Sequence, residues 1–229
     1  MKPTLGVLGG LGPLASAEFL NTIYEQNLAE VEQDSHAVIL LSDPSFPDRA
    51  LAFRSQADDV LINSLTEGAA RLFGLHVSKI VICCMSLHYV LPNLRPDFRS
   101  RTISLVDLTL EGVAKSGRKQ LLLCAPVTRE AHILENHPDW STVKDLIVMP
   151  DETDQETVCK MIRHYKTNNT LHPFMPHLSD MLARYRADSF IAGCSELHIL
   201  TRHLSRLKDN DLSFVDPLFT VATNLPRLL

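Results

Sequence analysis

The sequence predicts an α/β protein of two similar halves with parallel sheets and a site in the crevice between them. Three observations carry this: short apolar runs rich in Val, Ile and Leu, longer amphipathic stretches between them, and a seven-residue segment that occurs twice. Near-continuous apolarity, in place of alternation, marks strands covered on both faces. Strand alternating with helix requires crossover connections. At 229 residues, 45% apolar and 21% charged, the chain can bury a substantial core. Its charge density is too low for a disordered protein.

In chain order the predicted strands are Leu5–Leu8, Ala37–Leu41, Ile80–Cys83, Ile103–Val106, Leu121–Cys124, Leu146–Met149, Phe190–Ala192 and Ser213–Val215. Predicted helices occupy Ala15–Val31, Ala57–Gly74, Asp107–Ser116 and Pro176–Arg186. The polar stretch 151–170 opens with Asp151-Glu152-Thr153-Asp154, ends near Asn168-Asn169, and reads as a short helix with exposed loops. Lys2, the apolar Leu5–Leu14 and Ala15-Ser16-Ala17 imitate a secretory signal. Gly6, Gly9, Gly10, Gly12 and Pro13 resist the helix such a signal forms. No apolar run reaches the roughly 18 residues of a membrane span. A cytoplasmic, non-membrane protein is therefore expected.

Net charge is −5, which argues against a nucleic-acid partner, since that needs clustered Lys and Arg. Five cysteines at positions 83, 84, 124, 159 and 194 form no CxxC pair and read as free thiols. The repeated segment separates two of them. Ile82-Cys83-Cys84-Met85-Ser86-Leu87-His88 ends one strand, and Ala192-Gly193-Cys194-Ser195-Glu196-Leu197-His198 ends another. Ligands of open parallel sheets bind beyond such strand ends. Cys83, Cys124 and Cys159 fit structural positions. Cys84 and Cys194 are expected at helix N-termini, where the dipole lowers a thiol pKa. Their sulfurs are expected to face each other across a small crevice, with Arg49 pointing in.

Other motifs stay open at this level. Gly10-Leu11-Gly12-Pro13-Leu14-Ala15 satisfies G-x-G-x-x-[GA] after a strand, but the acid due about 20 residues on is poorly placed. A tight turn or small-anion site is favoured over a dinucleotide site. The two C-x3-H pairs supply a zinc-type ligand set without the close cysteine pairing of structural zinc, so no metal is expected. In Ser42-Asp43-Pro44-Ser45-Phe46-Pro47-Asp48-Arg49, the arginine offers a planar fork to a carboxylate. Lys166 is a second cation on a polar segment.

Taken together, these residues resemble the aspartate/glutamate racemase family, the amino-acid racemases that use no cofactor. The family's G-G-M-G-P-x-A is matched by Gly9-Gly10-Leu11-Gly12-Pro13-Leu14-Ala15, and its P-D-R by Pro47-Asp48-Arg49. C-N-T-A-H is matched with changes by Cys84-Met85-Ser86-Leu87-His88, G-C-T-E-L by Gly193-Cys194-Ser195-Glu196-Leu197, and a late D-P by Asp216-Pro217. The Glu after the second cysteine is similar to the aspartate-racemase branch.

The resemblance implies two α/β halves, residues 1–104 plus about 212–229 and residues 105–211, commonly in a homodimer. It implies that Cys84 and Cys194 are the acid/base pair, and that no cofactor is used. Leu11, Met85, Ser86, Leu87 and Ser195 are implied to hold a small amino-acid or dicarboxylate substrate, with Arg49 and Lys166 binding carboxylates. Met85 stands where the family has Asn, removing an amide whose contact is worth roughly 1–3 kcal/mol. Alternatives are a carboxylate-binding sensor without turnover, a related isomerase with another substrate, and a nucleotide-dependent enzyme using the Gly10–Ala15 turn.

Overall fold

The computed structural model describes residues 2–168, 174–207 and 212–229. Asn169, at the end of the polar stretch, lies outside the described residues. The first half runs β1 (Leu5–Gly9), α1 (Pro13–Gln26), β2 (Val38–Ser42), α2 (Arg49–Arg54), α3 (Asp58–Gly74) and β3 (Lys79–Ile82). A 3₁₀ helix (Met85–Asn93), α4 (Pro96–Arg99) and β4 (Thr102–Ile103) complete it. The second runs α5 (Leu105–Ser116), β5 (Gln120–Cys124), α6 (Pro126–Glu130), α7 (Trp140–Val143), β6 (Ile147–Val148), α8 (Glu152–Thr167) and α9 (Met175–Tyr185). It closes with β7 (Ser189–Gly193), α10 (Leu197–Leu204), β8 (Ser213–Val215), α11 (Pro217–Thr223) and α12 (Leu225–Leu228).

All pairings are parallel, in two four-stranded sheets of order β2-β1-β3-β4 and β6-β5-β7-β8. The second order is the first one shifted by four strands. β1, β5 and β7 are buried at every position, which is why they read as unbroken apolar runs. Each expected strand is present, Ser213–Val215 with the ends expected and the others with shifted ends. Ile103–Val106 shortens to Thr102–Ile103, because Ser104 Oγ accepts the Asp107 N–H at 3.1 Å and starts α5 at Leu105. The first helix stops at Gln26, short of Val31, since Asn27 donates its side-chain amide to the Ile23 and Ala222 carbonyls at 2.7 Å.

Two expectations change more. The 151–170 stretch carries a 16-residue helix, not a short one, started by Asp151 accepting from Asp154 N–H. It buries Val158, Met161, Ile162 and Tyr165 along one stripe against the second sheet. The assignment of residues from about 212 to the first half does not describe β8, which pairs with β7, Val215 opposite Ile191. The crossover through α10 brings the chain beside β7, as the 3₁₀ helix and α4 bring β4 beside β3. The following α11 packs on α1 of the first half and on α5.

One core runs between the sheets, joining Leu5, Val7, Phe19 and Val81 to Leu122, Cys124, Ile191 and Val215. Outer cores lie under α3 in the first half and under α8 and α9 in the second. Among the described residues no helix is long and apolar enough to cross a membrane.

Candidate active site

In each sheet the chain leaves its first strand one way and returns on the other side, so a crevice opens between β1 and β3 and between β5 and β7. Beyond those four strand ends sit Leu11, Cys84, Ala125 and Cys194, and all four line a single crevice of about 80 Å³. Asp48, Arg49, Ala50, Ser86, Val127, Ile162, Lys166 and Glu196 complete its wall. The structure thus brings both repeated-segment cysteines to one place, one from each half.

Cys84 follows β3 at the start of the 3₁₀ helix and is buried. Burial raises its pKa. The Glu196 charge adds to the rise, while the Arg49 charge and the Leu87 and Ser86 N–H groups pull the other way. Cys194 follows β7 and keeps part of its surface open. Its Sγ–H donates to Glu196 Oε2 at 2.9 Å. Burial raises this pKa well above the usual thiol value, and the Glu196 charge raises it further. The expected lowering at helix N-termini is therefore overturned for both. The N–H groups are present, but desolvation of a thiolate outweighs them.

Arg49 opens α2, with its guanidinium held by the Pro47 carbonyl at 3.0 Å and the Leu11 carbonyl at 3.1 Å. That contact fixes the loop after β2 onto the turn after β1. Gly10 sustains it from the other side: φ is +86°, and a Cβ there would lie 2.2 Å from the Asp43 nitrogen. Across the crevice, Lys166 follows Ile162 by one turn of α8. Asp48 is held below the usual carboxylate range, mainly by accepting the Leu51 N–H, and also by the Arg49 and Lys166 charges. Ser86 Oγ reaches the Thr128 hydroxyl of the second half at 3.0 Å.

Three of the residues expected to hold a substrate, Met85, Leu87 and Ser195, do not line this crevice. Met85 is 3% exposed and packs in the core between the sheets with Leu105 and Leu218. Its side chain is absent from the crevice wall. Leu87 is fully buried in the outer core of the first half, and what it offers the site is its N–H toward Cys84. Ser195 is buried and donates its hydroxyl to Glu196 Oε2 at 3.2 Å.

Glu196 belongs to a matched motif, but the sequence alone assigns it no role. The signal is its place, two residues past Cys194 and just before the apolar Leu197–Leu200. Its Oε1 lies over Gly12, where an added Cβ would come within 2.8 Å of it. The glycine-rich turn therefore makes room for the chain's own carboxylate. The paired histidines also have other work. His88 donates from Nδ1 to the Cys84 carbonyl at 3.1 Å and accepts the Leu105 N–H at Nε2 at 3.0 Å. His198 is fully buried between Asp216, 2.6 Å from Nδ1, and Thr22, 2.8 Å from Nε2. Among the described residues no three His, Cys, Asp or Glu side chains are grouped to hold a metal.

A family model described as Asp/Glu/Hydantoin racemase matches residues 8–222. Among solved structures, the aspartate racemase of Picrophilus torridus is similar with a TM-score of 0.79 at 23% identity, over 99% of this chain and 98% of that one. An aspartate racemase homologue from Pyrococcus horikoshii OT3 gives 0.72 at 18%, over 100% and 99%. A glutamate racemase from Campylobacter jejuni subsp. jejuni gives 0.59 at 16%, over 98% and 85%. At these identities the likeness is one of fold.

Proposed function

This chain belongs to the Asp/Glu/Hydantoin racemase family, and on that premise we propose that it is an amino-acid racemase that uses no cofactor, with aspartate the first substrate to test. The observation that carries the reading is that Cys84 and Cys194, one from each half, line the same crevice. Inverting a stereocentre means taking a proton from one face of the α-carbon and returning one to the other. A thiolate and a thiol on opposite walls do this in either direction, exchanging roles with the configuration of the substrate.

Both thiols are raised, so the resting site holds its protons and must make a thiolate to react. The Glu196 carboxylate opposes the thiolate at both sulfurs, and at Cys194 it adds a direct hydrogen bond, while Arg49 favours the thiolate at Cys84. In the resting enzyme Cys84 is therefore the readier base and Cys194 the readier acid. Charge developing at the α-carbon spreads into the α-carboxylate, which donors fixed in a water-poor crevice stabilise. Arg49 and Lys166, one from each half and both lining the crevice, support a substrate with two carboxylates.

The test is α-proton exchange. L-aspartate, L-glutamate and neutral amino acids are incubated with the protein in D2O, and loss of the α-proton signal is followed by NMR. Exchange that rises with pH from 7 to 9, as thiolate forms, and that vanishes in Cys84→Ala and Cys194→Ala, is the expected result. Absence of exchange with every amino acid, or its survival in both variants, would refute the reading.

A further inference from the structure

The crevice wall carries two cations, Arg49 and Lys166, and two acids, Asp48 and Glu196. The acids are not equivalent. Asp48 is exposed, and its Oδ1 is taken by the Leu51 N–H at 2.8 Å as the cap of α2. Glu196 is only 3% exposed. Its Oε2 accepts from Cys194 Sγ and from Ser195 Oγ. Its Oε1 makes no hydrogen bond among the described residues and lies over Gly12 beside Leu11, which is itself crevice wall. Glu196 is itself crevice wall, so this second carboxylate oxygen is placed to accept a donor from a ligand beside the thiol.

We propose that Glu196 Oε1 is the acceptor for the substrate's α-ammonium group, so that this residue selects α-amino acids over carboxylic acids of the same size that lack the amine. The assignment rests on the racemase reading of the crevice and adds to it the residue that recognises the substrate's amine. An α-ammonium brings up to three N–H donors and a positive charge to the one buried anion of the wall. A plain dicarboxylate brings only more negative charge to it. With the carboxylates drawn toward Arg49 and Lys166 and the ammonium toward Gly12, the α-carbon has three fixed substituents between the two thiols. A carboxylate partner also keeps the amine protonated, and a protonated amine acidifies the adjacent C–H bond. Glu196 thus serves substrate recognition with one oxygen and Cys194 with the other.

The experiment compares equilibrium binding of L-aspartate and succinate, which differ by the ammonium, to the full-length wild type and Glu196→Gln by calorimetry. The wild type is expected to prefer aspartate. The near-isosteric Gln variant is expected to lose that preference by roughly ten- to a hundredfold, the range for removing a charged hydrogen-bond partner, through weaker aspartate binding alone. Gly12→Ala, whose Cβ displaces Oε1, should lose it as well. An unchanged aspartate-to-succinate ratio in Glu196→Gln overturns the assignment. So does an equal weakening of both ligands, which marks a merely structural role, and so does a wild type that binds neither. If no amino acid exchanges its α-proton but the preference is present and lost in Glu196→Gln, the ammonium site stands and the racemase reading falls.

Discussion

The two strand–Cys–x–x–Leu–His segments sit at equivalent places in sheets of equivalent order, yet they give their sulfurs unequal electrostatic company: Glu196 raises both, and Arg49 offsets it at Cys84. Two residues past Cys84 stands Ser86, which turns to the Thr128 hydroxyl of the other half. Two residues past Cys194 stands Glu196, which turns back onto its own thiol. The histidines diverge in the same way. His88 ties the Cys84 carbonyl to the first N–H of α5, whereas His198 faces the buried Asp216. A repeated scaffold thus fixes where two groups stand, and single side chains decide how each behaves. Reversible proton transfer asks for this combination, with symmetric placement and unequal protonation.

The most forceful way to break the comparison is to remove one sulfur at a time. Cys84→Ala and Cys194→Ala should each lower α-proton exchange by about 10²- to 10⁴-fold, the usual contribution of one acid/base group, as measured by NMR in D2O. If one variant keeps most of the exchange, the segments are not partners. Next comes acid unfolding. His88 is buried neutral, with burial pushing its pKa from 6.5 down to about 4. The unfolded chain takes up that proton first, so stability held above pH 6.5 is lost as pH falls toward 4. The loss should be about 3 kcal/mol, because each tenfold difference in proton affinity is worth roughly 1.4 kcal/mol. It should be missing from Tm-against-pH curves of His88→Gln.

A smaller effect separates the thiols themselves. Iodoacetamide should alkylate Cys84 ahead of Cys194, and Glu196→Gln should speed Cys194 by about tenfold as its thiolate fraction rises. Peptide mass mapping over time reads both sites, and identical rates in the wild type would erase the proposed inequality. The mildest change is Ser86→Ala. Losing its bond to Thr128 should cost about 1 kcal/mol and lower Tm by about 2–4 °C. An unchanged Tm would show that this contact between the halves contributes nothing.

Much of this is visible in the sequence, for reasons that can be named. Strands buried on both faces read as apolar runs, so β1, β5 and β7 are recognisable in place. The paired cysteines stand out because the segment around them recurs. Other features need three dimensions. A single carboxylate such as Glu196 looks like any solvated acid until the helix after it is seen to turn it over Gly12. The burial that raises both thiols is a property of the assembled crevice, while the helix-end effect expected from sequence is local and weaker. Met85 reads as a lost substrate contact because its side chain's direction depends on the core between the sheets. The full length of α8 is hidden although Val158, Met161, Ile162 and Tyr165 carry its spacing, since the polar residues between them dominate the composition.

The wedging of α1 between α10 and α11 has a mechanical consequence. Phe19 and Ile23 are fully buried on it, Thr22 reaches His198, and Arg202 on α10 pairs with Glu18 and Glu25. A hinge needs a line that few contacts cross, and here a dry core crosses it, so the halves can slide slightly but not swing apart. The short α2 is different. It buries only Ala52 and is tied to α6 by the exposed Arg54–Glu130 pair at 2.7 Å. The element that brings Arg49 to the crevice is thus held by far less buried surface than the core that joins the halves.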